Sequence, residues 1–175
     1  MIDKDWYRVE ALVELALEEP GMDSGLAPVQ ARRLAVEARR SLDRLSTRRD
    51  QEVREALGLV LDAVETLERE VELLHRRSVL RGRGLALRPV HASIGGDGLW
   101  MPESHGPGRV LLHLGLRSSG AYHLVSTLAE LSSAAGGSEL RFVEPDPGVQ
   151  DLIVAFVFET QRKERRRELD ALARR

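Results

Sequence analysis

The stretch from Pro28 to Arg77 constrains this chain most: after Pro28 it holds no proline, and its single glycine is Gly58. Val53, Leu57, Val60, Val64, Leu67, Val71 and Leu74 alternate steps of four and three, the spacing of a coiled-coil seam. Upstream, Ala31, Ala35, Ala38, Leu42 and Leu45 continue the alternation. From Leu45 the next positions are Arg49 and Val53, two steps of four in succession, which unwinds a left-handed coil locally. The polar residues 46–52, "STRRDQE", are alternatively a break between two helices. A continuous helix from Pro28, a residue suited to a first helical position, would run about 70 Å at about 1.5 Å per residue. An apolar stripe at helical spacing usually packs inside its own domain. This one is too long for a small domain to cover, so its expected partner is another copy of the chain, with a first helix packed alongside.

That length must be weighed against the rest of the molecule. At 175 residues the chain is one domain, or one small domain with an appendage. Apolar residues make up 42% and charged ones 31%, which excludes a disordered chain. A formal charge of -2 argues against a broad nucleic-acid footprint, which needs a clustered basic excess. There is no cysteine, hence no disulfide, thiol nucleophile or Cys-ligated metal. "MIDKDWYRVEAL" lacks the basic start and apolar core of a signal peptide, and the apolar stretches are too short to span a bilayer. A cytoplasmic protein without membrane insertion is expected.

Trp6, Val9, Val13, Ala16 and Leu17 predict a first helix over Asp5–Glu19, stopped by Pro20 and Gly21, with a loop over 21–27. Near Ser78 the character changes. "GLALRPVHASI", "GLWM", "RVLLHLGL", "YHLVSTLAEL", "SELRFVE" and "DLIVAFVF" read as short strands, separated by turns such as "RSSG", "AAGG" and "PDPG". The end, "ETQRKERRRELDALARR", reads as a helix anchored by Leu169 and Leu172. The expected division is a helical oligomerisation region over 1–78 and a barrel with a closing helix over 79–175. The fold class is then α+β: a helical, coiled-coil region, five or six short strands in a small antiparallel barrel or sandwich, and a C-terminal helix.

The glycines of "SIGGDGLWM", residues 93–101, invite a phosphate-binding reading. Such a loop sits between a strand and a helix, so that the helix N-terminus faces the anion. Here "LWM" and Pro102 follow, with no Gly-Lys-Ser/Thr, so the Rossmann and P-loop readings fail. A tight strand-to-strand turn remains. Trp100 beyond it is expected in the core, or else as an exposed anchor for a partner.

In this frame the sequence resembles the PilZ domain, a bacterial six-stranded barrel that binds cyclic di-GMP. The family motif is Asp or Asn, apolar, Ser, two variable residues, Gly, then alternating apolar residues. Ser93 stands where the acid or amide would be, Ile94 at the apolar position, Gly95 at the serine and Gly98 at the glycine, with Leu99 and Met101 as the apolar pair. "LIVAFVFETQRKERRRELDAL" resembles the closing strand and charged helix of these barrels. The likeness spans about residues 79 to 175. The long heptad helix is similar to that of an atypical subgroup that assembles as a tetramer through such a helix. The resemblance implies a signalling role in cyclic di-GMP pathways such as surface motility or virulence control.

By the same resemblance, an Arg-x-x-x-Arg stretch would wrap the nucleotide, and Arg77 and Arg81 have that spacing, with Arg83 and Arg88 nearby. Arginine suits this because its planar fork pairs with phosphate and guanine edges and stacks on a base. The candidate ligand residues are thus Arg77, Arg81, Arg83, Ser93, Gly95 and Gly98. Two departures count against binding. Arg81 to Ser93 leaves room for only one short strand, and the motif lacks two polar ligands, each worth on the order of 1 to 3 kcal/mol. The expected function is therefore a non-catalytic, oligomeric adaptor with a degenerate nucleotide site, needing no cofactor and acting on protein partners. The alternatives are a working cyclic di-GMP receptor and a coiled-coil scaffold. His75, His91, His105, His113 and His123 include no i, i+4 pair, so no metal site is expected, and no spacing argues for a Ser-His-Asp set. The basic residues 162–167, interrupted by Glu164, read as a solvated helix face with i, i+4 pairs, the alternative being contact with an anionic membrane or RNA.

Overall fold

The computed structural model describes residues 8–21, 51–118 and 120–174. The chain forms two compact units: a barrel unit comprising Met1–Gly25 with Gly84–Arg175, and a helical unit, Leu26–Arg83. The helical unit is therefore an insertion into the barrel sequence, and the division at residue 78 is corrected. Its described element is α1, Gln51–Gly82. The helix start at Pro28, the alternation Ala31–Leu45, the step at Arg49 and residues 46–50 lie outside the described residues, as does Trp6.

The barrel unit holds β1 (Val9–Glu18), β2 (Arg88–Ile94), β3 (Gly98–Met101), β4 (Gly108–Ser118), β5 (Ala121–Ala134), β6 (Gly137–Phe142) and α2 (Pro147–Ala173). The strands close in the order β1-β2-β3-β6-β5-β4, every pairing antiparallel. Closure leaves no free sheet edge. The interior is filled by alternate residues, such as Leu112, Leu114 and Leu116 of β4 and Leu99 and Met101 of β3, all at 0% exposure.

Two elements differ from the sequence expectation. Residues 9–18, expected in a helix, form β1, which pairs with β2 through Val9↔Ile94 and with β4 through Leu15↔Leu114. Val9, Val13 and Leu15 point inward with period two. Their neighbours favour helix locally, but two long-range ladders and burial on the sheet outweigh that preference. The apolar run "DLIVAFVF" is the start of α2 rather than a closing strand. Asp146 caps it, its carboxylate accepting from the Gly148 amide at 2.8 Å, with Pro147 in the first turn. Ile153, Phe156 and Val157 lie on one helical face and enter the barrel core. Six strands are thus present, the sixth being β1 from before the long helix.

Hairpin chemistry is as the sequence suggests. Gly120 between β4 and β5 and Gly136 between β5 and β6 hold φ of 79° and 78°, left-handed values that glycine adopts without a Cβ clash.

Candidate functional site

The turn between β2 and β3 is built by three elements. The Gly95 amide donates to the Gly98 carbonyl at 2.9 Å, closing the turn, and the Phe142 amide at the end of β6 donates to the Asp97 carbonyl at 2.9 Å. Gly98 is required by close approach: a Cβ there would lie 2.2 Å from the Leu140 carbonyl oxygen on β6. Gly96 faces α2, where a Cβ would meet Val154 at an ordinary 3.4 Å. The barrel thus brings Ser93, Gly95 and Gly98 together in one tight strand-to-strand turn, held against β6 and α2.

The groups around this turn carry charges of both signs. Ser93 is half-buried in a row on the outer sheet face that runs Glu10, Ser93, Trp100, Glu139. Gly95 is buried and offers no side chain, and Asp97 is exposed at the tip. Glu10 is thus the cross-strand neighbour of Ser93, and Glu139 lies one strand further, beyond Trp100. Arg8 is engaged with Glu139 at 2.8 Å, and Arg141 stands opposite Gly98. Trp100, expected in the core, is half-buried on the outer face, because Leu99 and Met101 on either side take the inward positions.

Arg77, Arg81 and Arg83 belong to the other unit. Arg77 and Arg81 are exposed on the last turns of α1, and the Arg83 amide closes the helix by donating to Val79 and Leu80 carbonyls at 3.1 and 3.0 Å. The single short strand expected between Arg81 and Ser93 is β2.

All of Val53, Leu57, Val60, Val64, Leu67, Val71 and Leu74 are exposed on α1, from 36% at Val64 to 65% at Leu74. Leu61 and Leu80, off this stripe, are buried. The apolar stripe is thus exposed along α1, as is Leu59 off it at 73%.

A second polar cluster had no expectation attached to it. On the outer face of β1, β4 and β5, the fully buried His113 meets Ser126 Oγ through Nδ1 at 2.8 Å and Glu18 Oε2 through Nε2 at 3.0 Å. One turn of register away, the Tyr122 hydroxyl donates to Glu14 at 2.5 Å, its ring lying over Gly115, where a Cβ would fall 2.0 Å from the hydroxyl oxygen. Ser, His and Glu are the residue types of a hydrolytic triad, but the His113 ring has 0% exposure and sits within the ladder of β1, β4 and β5. The cluster ties β1 to β4 and β5. Gly115, interior to "HLGL", is the sequence signal for that close approach.

No protein-family model matches this chain, and no curated protein matches it. Among solved structures it is similar to one from Xanthomonas campestris, described as a pathogenic protein with a new tetrameric PilZ domain self-assembled via an unusual helical bundle. The two share 19% identity over 91% of each chain, with a TM-score of 0.52. With its closed six-stranded antiparallel barrel and flanking helices, the chain has the fold of a PilZ domain.

Proposed function

We propose that this chain is an oligomeric, non-catalytic adaptor of cyclic di-GMP signalling, in which α1 joins copies of the chain and the barrel presents its surface to protein partners. The observation that carries the reading is the bare seam of α1. From Val53 to Leu74, about 33 Å of helix, an apolar stripe faces solvent in the single chain. Burying a Val or Leu side chain fully contributes about 1.5 to 3 kcal/mol, so the stripe supplies on the order of 10 kcal/mol or more per helix toward association, comparable with the cost of bringing chains together. The Xanthomonas campestris protein, described as self-assembling through a helical bundle, supports the same use of a helix here. The nucleotide turn is retained as scaffold: its glycines serve the approach of β3 to β6, while its polar ligand positions are filled by Ser93 and Gly95. Loss of two polar contacts at about 1 to 3 kcal/mol each weakens a ligand about a hundredfold or more.

Two measurements test this. Light scattering on the eluting protein at micromolar concentration should report a multimer, and a monomer would remove the oligomeric part of the reading. Calorimetric titration with cyclic di-GMP should give no saturable heat. A saturable micromolar isotherm abolished by Arg81→Ala would instead establish the receptor, with the arginines of α1 as its ligands.

A further inference from the structure

The far half of α2 is a second bare helix, and two of its arginines lie in a stripe of exposed apolar residues. Its buried residues are Ile153, Phe156 and Val157, and residues 162–174 are all exposed. A helix projecting that far without packing is marginal in water, because isolated helices shorter than about 12 to 15 residues barely hold.

At 100° per residue, Phe158, Arg162, Arg165, Leu169 and Leu172 fall on one stripe, with Arg166 at its margin. Steps of four and three separate them, the spacing by which one helix reads another. Phe158, Leu169 and Leu172 are 53%, 66% and 65% exposed. The carboxylates of this half lie off the stripe's centre: Glu159, paired with Lys163 at 2.7 Å, is about 100° away, Glu164 and Asp170 about 120° away on either flank, and Glu168 borders the stripe on the side opposite Arg166. Among the described residues, Arg162, Arg165 and Arg166 make no ion pair with any of them.

We propose that this stripe docks an acidic amphipathic helix of a protein partner, one with apolar residues that meet Phe158, Leu169 and Leu172 and carboxylates opposite Arg162 and Arg165. A planar guanidinium accepts a carboxylate in two parallel bonds, which sets register as well as sign. The sidedness selects a narrow partner. Steps of four and three match the side chains of one partner helix, whereas a membrane or nucleic acid offers no such register. A single helix meets Arg162 and Arg165 at the centre of the stripe, with Arg166 and Glu168 at its two edges. The site is separate from the α1 seam, so it stands whether or not the chain self-associates.

The test uses the full chain and a synthetic helical peptide carrying Leu at its outer seam positions and Glu at the two central ones, read by fluorescence anisotropy. Saturable binding is expected, weakened about tenfold or more for Arg162→Glu with Arg165→Glu and for a peptide with Lys at the central positions. These residues are fully exposed, so the variant should keep the wild-type circular dichroism. Equal affinity for the Glu and Lys peptides, or binding untouched by the charge reversal, would overturn the proposal. So would no binding of either peptide, and so would sedimentation with phosphatidylserine vesicles in place of peptide binding, which would assign the stripe to a lipid surface.

Discussion

Gly98→Ala should destabilise the barrel by about 3 kcal/mol while leaving its neighbour Gly96 replaceable. The added methyl at Gly98 would sit 2.2 Å from the Leu140 oxygen and 3.2 Å from the Arg141 Cα, a backbone overlap of about 1 Å relative to ordinary contact. β6 cannot retreat easily, since its other edge is paired to β5 from Ala129↔Phe142 to Ala134↔Gly137. Overpacking of this kind costs about 1 to 3 kcal/mol, and with backbone on both sides the upper end applies. For a chain of this size the melting midpoint falls by about 2 to 4 °C per kcal/mol, hence by about 6 to 12 °C. At Gly96 the methyl meets the Val154 side chain at 3.4 Å with no left-handed φ to satisfy. Gly96→Ala should therefore stay within about 1 kcal/mol of the wild type, on the stabilising side through lower unfolded-state entropy. Urea unfolding followed by tryptophan fluorescence, with Trp100 two residues along β3, reads both. If Gly98→Ala unfolds within 0.5 kcal/mol of the wild type, as order-of-magnitude surface changes do, the glycine is not fixed by the approach of β3 to β6 and the account of the turn fails.

Further outcomes follow from other contacts. Leu67→Asp or Val60→Asp should dissociate the assembly by setting an unpaired charge in the seam, seen as a fall in scattering mass with unchanged helicity. Asp146→Ala removes the cap bond to Gly148 and should cost about 1 kcal/mol in urea unfolding. His113→Ala takes a fully buried ring from between Glu18 and Ser126 and should cost about 2 to 4 kcal/mol, with the barrel losing cooperativity first where β1 meets β4.

Local chemistry made the hairpins legible. Glycine pairs in "SIGGDG" and "AAGG" fix where strands reverse, and the structure turns at both places. The helix α1 was legible for the same reason, since a helical spacing of apolar residues is read along one element. What sequence could not yield was set by partners far away in the chain. "DLIVAFVF" is a continuous apolar run, equally suited to a buried strand or a buried helix. The deciding signal was Asp146-Pro147, a cap followed by a first-turn proline, which also reads as a turn. Likewise the row Glu10, Ser93, Trp100, Glu139 is assembled only by strand pairing between residues far apart in the chain.

The sharpest separation of local from long-range causes is at β1. "VEALVELALE" is made of good helix formers, and Val9, Val13, Ala16 and Leu17 satisfy a helical stripe. Leu15 decides between the readings. On a helix it lies about 200° from Val13, on the opposite side, and would face water. In the barrel it follows Val13 at strand period, pairs with Arg88 and Leu114, and has 0% exposure. Leu12 reverses the pattern, 62% exposed on the outer face. Leu15→Lys should thus unfold the barrel, because it buries an unpaired ammonium among apolar side chains. Leu12→Lys should stay within about 0.5 kcal/mol of the wild type. Near-ultraviolet circular dichroism and urea unfolding of the two variants settle the matter, and a Leu15→Lys protein that folds like the wild type would return these residues to a helix and open the barrel to five strands.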